Sequence, residues 1–265
     1  MSRVWASQMR SYHYYLIAII LIALTVGFFS LTGQDKKMLL FLSGAGMKVP
    51  VNEIAANFEE ETGIEVQTQF AGSSILRDYI LDFKTGGIFL PGDKKNLDIL
   101  TEKGLVSESA FIAWHVVALL VAPEAKERIK GLDDLAGEGV RIAMSNPKLA
   151  SLGRIVTKNI IERHPKGADI LKNVVVYGSS SQDVLKLYRA GGIDAIIEWD
   201  VMAATLEGKG LIVIPLEKPY QVKDELFAGL LTTAHDPKVA KKFYDYLVTK
   251  GKEVFRKHGY NIDPR

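Results

Sequence analysis

Four turns in the sequence combine glycine with serine or other small residues, and each stands between a predicted strand and a predicted helix. They are Ser43-Gly44-Ala45-Gly46-Met47, Gly72-Ser73-Ser74, Ala150-Ser151-Leu152-Gly153 and Ser179-Ser180-Ser181. Such a turn presents unpaired backbone N–H groups and small hydroxyl groups at the start of a helix, where the helix dipole adds partial positive charge. These groups bind an anion without needing lysine or arginine. The four turns together therefore predict a site for a small anion.

Each turn alone also has a purely structural interpretation. Ser73, Ser74 and Ser181 are residue types that cap the N-terminus of a helix. The segment Gly44-Ala45-Gly46 fits neither G-x-G-x-x-G nor the P-loop spacing, so it is also consistent with a simple tight turn. Only the recurrence of the same design favours the interpretation as an anion site.

Three further residue types near these turns have a structural interpretation, and for tryptophan and arginine a functional one as well. Trp199 follows an apolar strand, where it is either a core residue or an indole N–H donor to an anion. Asp200 is most simply the N-cap of the helix that follows. Arg77 and Arg154 stand one turn into two of the helices, where they are either solvated or lean over an anion.

The sequence offers little for an enzyme. Its five histidines have no metal-ligand spacing, and no G-x-S-x-G nucleophile motif occurs. Asp93 and Asp98 are interpreted as surface residues rather than as an acid/base pair, and His115 as a packed or hinge residue in an apolar run. The chain has no cysteine, which excludes disulfides, thiolate metal sites and a cysteine nucleophile. We therefore predict no catalytic residue, no cofactor and no protein-ligated metal.

The elements that must position these turns alternate between strands and helices. We predict nine strands, at 38–42, 65–70, 88–90, 111–121, 140–144, 174–177, 195–198, 211–215 and 227–232, with two closing helices at 237–246 and 250–258. This alternation predicts an α/β fold with mixed, mostly parallel sheets and helices on both faces. Turns at the C-terminal ends of such strands gather where ligands bind.

Nine strands are too many for one simple sheet, and the run 111–121 is long enough to pass between two lobes. We predict two Rossmann-like lobes joined by two crossing strands. Lobe 1 is expected to contain residues 38–112 and 222–265, and lobe 2 residues 122–212. The crossings are expected at 113–121 and 213–221.

The N-terminal 37 residues form a separate segment in this prediction. Residues 14–33 are apolar or small and uncharged, and as a helix they reach about 30 Å, enough to span a bilayer. Arg3 and Arg10 precede the run, so the chain after it is expected outside the cytoplasm. We favour an uncleaved anchor over a cleaved signal peptide, because the run is long and cleavage sites such as Leu31-x-Gly33 are weak.

The remaining chain carries as many acidic as basic residues, and the whole has a formal net charge of +2. A neutral body is a poor nucleic-acid binder, because phosphate neutralisation needs a basic surface. We therefore expect no nucleic-acid partner.

Six stretches after residue 38 resemble a known family. They are LFLSGAGMKVPVNEI, FEEETGIEVQTQFAGSSIL, GGIFLPGDKKNLDIL, KGLDDLAGEGVRIAMSNPKLASLGR, VLKLYRAGGIDAIIEWDVMA and VAKKFYDYLVTKGKEVFRKHGY. In order and spacing they are similar to the substrate-binding proteins of molybdate and tungstate ABC importers, within the type II periplasmic binding proteins. The resemblance implies a two-lobed monomer that binds a tetrahedral oxyanion in the cleft between its lobes.

The resemblance also implies site residues. Carried over by position, these are Ala45, Gly46, Met47, Ser73, Ser74, Leu152, Gly153, Ser181 and Trp199. Three positions depart from the family pattern. Gly46 stands where a serine is frequent, Trp199 where a tyrosine is frequent, and Gly87 where an aspartate is usual.

The resulting hypothesis is an extracytoplasmic solute-binding protein that delivers molybdate or tungstate to an ABC permease. Sulfate or phosphate is the alternative ligand. A membrane-anchored sensor that uses the same cleft is an alternative function. An enzyme on the same two-lobed fold is a third, and the absence of cysteine opposes a porphobilinogen-type transferase. Iron binders of this fold use adjacent tyrosines, and the only such pair here is Tyr14-Tyr15 in the apolar segment.

Overall fold

The computed structural model describes residues 38–263. The predicted N-terminal anchor, residues 14–33, lies outside these residues. Within the described part, none of the helices has both the length and the apolar character needed to cross a membrane.

Nine strands and eight α-helices form the described chain. The strands are β1 (Met38–Gly44), β2 (Glu65–Ala71), β3 (Ile88–Leu90), β4 (Val106–Val121), β5 (Ile142–Ser145), β6 (Val174–Gly178), β7 (Ala195–Trp199), β8 (Ile212–Pro215) and β9 (Lys223–Leu231). The helices are α1 (Lys48–Thr62), α2 (Ser73–Phe83), α3 (Lys94–Glu102), α4 (Ser151–Asn159), α5 (Gly167–Lys172), α6 (Ser181–Arg189), α7 (Pro237–Tyr246) and α8 (Lys252–Lys257). A π-helical segment, Leu247–Gly251, joins α7 to α8, so the two closing helices are continuous.

Helix α1 shows how local sequence sets an element. Pro50 lies in its first turn, where the missing N–H group has no intrahelical partner to lose. Val51, Ile54 and Phe58 follow at helical spacing and are buried, so one face of the helix packs on the sheet. The helix ends at Gly63, whose φ of 67° is the left-handed conformation that glycine adopts readily.

The strands form one continuous array in the order β2-β1-β3-β9-β4-β7-β5-β6, with β8 also paired to β4. The pairs among β1–β3 and among β5–β7 are parallel, whereas every pair made by β4 or β9 is antiparallel. The sheet is mixed, as predicted, but parallel pairs do not outnumber antiparallel ones. Parallel pairs are not in the majority because the long strands β4 and β9 pair antiparallel with each other.

Strands β4 and β9 each begin several residues earlier than predicted. The residues added to β4 include Ser107, Glu108 and Ser109, which are exposed, and β9 begins with Lys223. These polar residues pair with backbone on the partner strand while their side chains reach solvent, so an apolar pattern does not reveal them.

Strand β4 is shared by two halves of the molecule. Its first part, up to Val116, pairs with β9, and its last part, Val117–Val121, pairs with β7 and β8. Two separate hydrophobic cores flank this junction. We call the half built on β1, β2, β3 and β9 lobe 1, and the half built on β5, β6 and β7 lobe 2.

Candidate functional site

A small cavity of about 20 Å³ lies between the two lobes. All four glycine- and serine-containing turns reach it. Its lining residues are Gly44, Ala45, Gly46, Met47, Ala71, Gly72, Ser73, Gly92, His115, Ala150, Ser151, Leu152, Ser180, Ser181 and Trp199. The starts of α2, α4 and α6 and the turn before α1 therefore converge, and a space of this size restricts a ligand to a few atoms.

Ser73 supplies a hydroxyl group from lobe 1. It is the first residue of α2 and is buried. Its Oγ accepts a hydrogen bond from the Gly92 backbone N–H at 2.8 Å. That bond fixes the oxygen and leaves the hydroxyl proton free to be donated into the cavity.

Ser151 supplies the equivalent group from lobe 2, at the start of α4. Its Oγ accepts from the Asn96 side-chain amide of lobe 1 at 3.2 Å. The hydroxyl proton of Ser151 is likewise free for a ligand. The bond also joins the two lobes directly beside the cavity.

Ser181, at the start of α6, has a different partner. Its Oγ donates to Glu198 Oε1 at 2.8 Å, and the Trp199 backbone N–H donates to the same carboxylate oxygen at 3.0 Å. Glu198 is completely buried behind these two lining residues. Burial raises the pKa of its carboxyl group to about 8, against the opposing effect of the hydrogen bonds from Trp199 and Ser181.

His115 and Trp199 form one wall of the cavity. Their rings stack with centroids 4.2 Å apart. His115 Nδ1 lies 3.3 Å from the Gly92 carbonyl oxygen, which assigns the ring proton to Nδ1. Burial lowers the pKa of His115 to about 3, so the ring is neutral. His115 therefore shapes the wall of the cavity and adds no charge to it.

No lysine, arginine, aspartate or glutamate is among the residues that line this cavity in the described chain. Both arginines singled out from the sequence are engaged elsewhere. Arg77 bonds Asp78 and the Asn96 side-chain oxygen within lobe 1. Arg154 of lobe 2 forms an ion pair with Asp93 of lobe 1. An anion in the cavity would therefore meet amide and hydroxyl dipoles rather than a cation.

The Asp93–Arg154 pair corrects one prediction. Asp93 was expected at the surface, but its side chain is fully buried at the lobe junction. It caps α3 through the Asn96 N–H at 3.0 Å and pairs with Arg154 on its other oxygen. Burial, and then the nearby charge of Asp93, raises the pKa of Asp224 to about 6. Arg154 is thus the counter-ion of a small acidic group between the lobes.

Gly72 brings the lobes into close contact. A β-carbon at this position would lie 2.8 Å from the Ser179 carbonyl oxygen and closer still to that of Leu149, both in lobe 2. Only glycine permits this approach of the two halves.

Seven of the nine predicted site residues line the cavity, namely Ala45, Gly46, Met47, Ser73, Leu152, Ser181 and Trp199. Ser74 and Gly153 do not. Ser74 is the second residue of α2 and is partly exposed. Gly153 is buried against the Ser145 and Asn146 backbone, where a β-carbon would clash, so its role is packing between α4 and the end of β5.

Two departures from the family pattern lie against each other. A β-carbon on Gly46 would be 3.3 Å from the Trp199 indole and 3.6 Å from Ser181 Oγ. The glycine therefore leaves room for a side chain larger than tyrosine at position 199.

The capping predictions were partly wrong. Ser180, not Ser181, caps α6 through the Asp183 N–H, and Gly72 occupies the cap position of α2. Asp200 is the first residue of a short 3-10 turn, Asp200–Ala204, rather than its cap. The hydroxyl groups of Ser73 and Ser181 are thus not used by their own helices.

The fold and the cavity define a class of protein, in which two α/β lobes share a long strand and enclose a small polar site. The chain belongs to the bacterial extracellular solute-binding protein family, whose profile matches residues 39–261. This is a family of binding proteins, so the prediction that the chain is not an enzyme is confirmed.

Relatives are similar over most of their length. A putative binding protein of Haemophilus influenzae is 26% identical, covering 92% of this chain and 97% of that protein. The molybdate-binding protein ModA of Escherichia coli is 23% identical, covering 86% and 90%. The solved sulfate-binding protein SubI of Mycobacterium tuberculosis has a TM-score of 0.72 at 17% identity, covering 86% of this chain and 88% of that one. This likeness supports the predicted two-lobed fold.

Proposed function

We propose that this protein captures a small tetrahedral oxyanion, with molybdate or tungstate as the first choice, in the cavity between its lobes. Sulfate is the principal alternative, since one similar structure is that of a sulfate-binding protein. The observation that carries the proposal is the convergence of four helix-initiating turns on one cavity that no charged side chain lines. Fixed N–H and hydroxyl dipoles in such a space stabilise an anion that has lost its water.

The proposal includes closure of the lobes around the ligand. Lobe 1 (residues 38–112 and 222–265) and lobe 2 (residues 122–212) would rotate about crossings at 113–121 and 213–221. The contacts of Asn96 with Ser151 and of Asp93 with Arg154 belong to the closed form, because each joins one lobe to the other.

Delivery to an ABC permease completes the proposed function. The family is one of extracellular proteins, which supports a position outside the cytoplasmic membrane. Residues 14–33 would anchor a monomer beside the permease and raise its local concentration there. No nucleic acid and no cofactor takes part in this function.

Isothermal titration calorimetry against molybdate, tungstate, sulfate and phosphate tests the proposal. We expect one of these anions to bind with a dissociation constant in the micromolar range or below and a stoichiometry of one. Absence of binding by all four would reject the proposed function.

Replacement of Ser73 by alanine tests the first helix start. The variant loses one donor to the anion and the acceptor that holds the Gly92 N–H. We expect binding to weaken by about 1–3 kcal/mol, as for a donor lost to a charged group. Ser74→Ala is the matched control, because its side chain stands outside the cavity on the same helix. Equal affinities of the two variants would remove Ser73 from the site.

A further inference from the structure

Glu198 is a buried acid whose place beside an anion site needs an explanation. Its Oε1 accepts from Ser181 Oγ at 2.8 Å and from the Trp199 N–H at 3.0 Å, and both donors belong to residues that line the cavity. Its Oε2 is buried without a hydrogen-bond partner. No basic residue of the described chain pairs with it.

The neighbouring strand offers a partner for a proton on Oε2. Strand β5 runs parallel to β7 with Ile142 opposite Ala195 and Ala143 opposite Ile196. The same register continued places Ser145 beside Glu198. The buried Ser145 Oγ makes no hydrogen bond of normal geometry, but its hydroxyl group lies near enough to oppose the rise in the pKa of Glu198. The Ser145 hydroxyl group can donate to a carboxylate Oε2, and a protonated Oε2 can instead donate to Ser145 Oγ, so Ser145 is able to partner either form of Glu198.

The hydroxyl group of Ser181 has a single proton to donate. While Glu198 is a carboxylate, that proton is held by Oε1, and Ser181 offers only lone pairs to the cavity. A fully ionised oxyanion would then meet lone pairs from Ser181 and a second negative charge behind it. When Glu198 is neutral, Oε1 keeps the Trp199 N–H, and the anion becomes the stronger acceptor for the Ser181 proton.

We infer that Glu198 is a positioning residue of the site, and that the cavity binds a fully ionised oxyanion only while Glu198 holds a proton. The inference rests on the proposed function, since it concerns the same cavity. The protonation state of this one buried carboxyl group then helps to determine which anion binds.

Other titratable groups around Glu198 are accounted for. His115, across Trp199, is neutral. Burial raises the pKa of Tyr260 in the C-terminal segment far above neutrality, so it is neutral as well. Burial also raises the pKa of Asp200, which makes Asp200 the one neighbouring acid that needs a control. Arg154 is occupied by Asp93.

The test measures the affinities of the full-length chain for molybdate and for sulfate between pH 7 and pH 9.5. With a carboxyl pKa of about 8, Glu198 ionises within this range, so proton-linked binding weakens as the pH rises. We expect the dissociation constant of the wild type to rise about 30-fold, since each pH unit well above the pKa costs up to tenfold. Calorimetry in two buffers of different ionisation enthalpy should show proton uptake approaching one per anion at the upper pH.

Glu198→Gln is the decisive variant, because glutamine keeps an acceptor for Trp199 and Ser181 and is neutral at every pH. Its affinity should equal that of the wild type at pH 7 and stay flat to pH 9.5. Asp200→Asn should retain the wild-type slope. A flat wild-type profile without proton uptake, or the same slope in Glu198→Gln, would overturn the inference while leaving the proposed function intact. If molybdate, tungstate, sulfate and phosphate all fail to bind either protein at pH 7, the inference and the proposed function are both overturned.

Discussion

The Arg154→Met variant is expected to bind its oxyanion about 100-fold more weakly than the wild type. Arg154 lies in lobe 2 and pairs with the fully buried Asp93 of lobe 1. Loss of one partner from a buried ion pair costs about 3–5 kcal/mol, and the partial exposure of Arg154 favours the lower end. The penalty is expected to fall on the closed form, in which Asp93 is fully buried where the lobes meet. Calorimetry gives the affinity, and small-angle scattering with the anion reports closure.

The carboxyl group of Asp224 near Asp93 adds a pH dependence to this prediction. Without Arg154, closure leaves the neighbouring carboxyl groups of Asp93 and Asp224, both in lobe 1, without the counter-ion that lobe 2 supplies. The pKa of Asp224 is already raised to about 6, so it takes up a proton as the pH falls through that value. The affinity of Arg154→Met should therefore recover partly at pH 5, where the closed form holds one negative charge fewer.

Two controls separate closure from general damage. In the double variant Asp93→Asn/Arg154→Met, the asparagine retains an oxygen that can cap α3, and the unpaired charge is gone. We expect it to bind within about tenfold of the wild type, since removal of both partners is far milder than removal of one. Arg77→Met removes an arginine whose partners, Asp78 and Asn96, all lie in lobe 1. An equal loss of affinity in Arg77→Met would contradict a role for Arg154 in closure.

The turns that line the site could be predicted because each is encoded by a short, continuous stretch of sequence. A short apolar strand, a small turn and an amphipathic helix are each encoded within about 20 residues, so the turns at Ser73, Ser151 and Ser181 are visible without any tertiary information. Their convergence follows from the rule that the C-terminal ends of parallel strands share an edge. Most of the cavity is therefore accessible to sequence reasoning.

The contacts between lobes could not be predicted in the same way. Asp93 and Arg154 are 61 residues apart, and each alone has the pattern of a solvated residue. His115 is similar, since its position in an apolar strand indicates burial but not the Trp199 ring beside it. Such pairs depend on how the two lobes meet.

Glu198 did leave a signal in the sequence. It is the one charged residue of β7, Ala195–Trp199, a strand that is otherwise apolar. A charge in a fully apolar strand is rarely buried unless it is partnered or neutral. The apolar pattern predicts the strand, but it does not show what the one charged residue within it contacts.

The Gly72→Ala variant is expected to lose about 10- to 100-fold in affinity without any loss of folding stability. The φ of −60° and ψ of 137° at Gly72 suit any residue, so alanine introduces no backbone strain. The atoms nearest to the added methyl group are the carbonyl oxygen and carbon of Leu149 and the carbonyl oxygen of Ser179, all across the cleft. The methyl group fits only if the backbone of two separate loops moves. Overpacking of this kind costs about 1–3 kcal/mol.

Unchanged stability without ligand, combined with weaker binding, is the result expected for Gly72→Ala if the lobes close on the ligand. The melting temperature without ligand should match that of the wild type, because in the open form lobe 2 withdraws from the methyl group. At one molybdate concentration far above both dissociation constants, the stabilisation should shrink by about 1.4 kcal/mol for each tenfold loss of affinity. Gly131→Ala is the matched control, since a β-carbon there has no neighbour within 4 Å. A Gly72→Ala protein that binds as tightly as the wild type would mean that the approach of the two lobes at Gly72 is not required for binding.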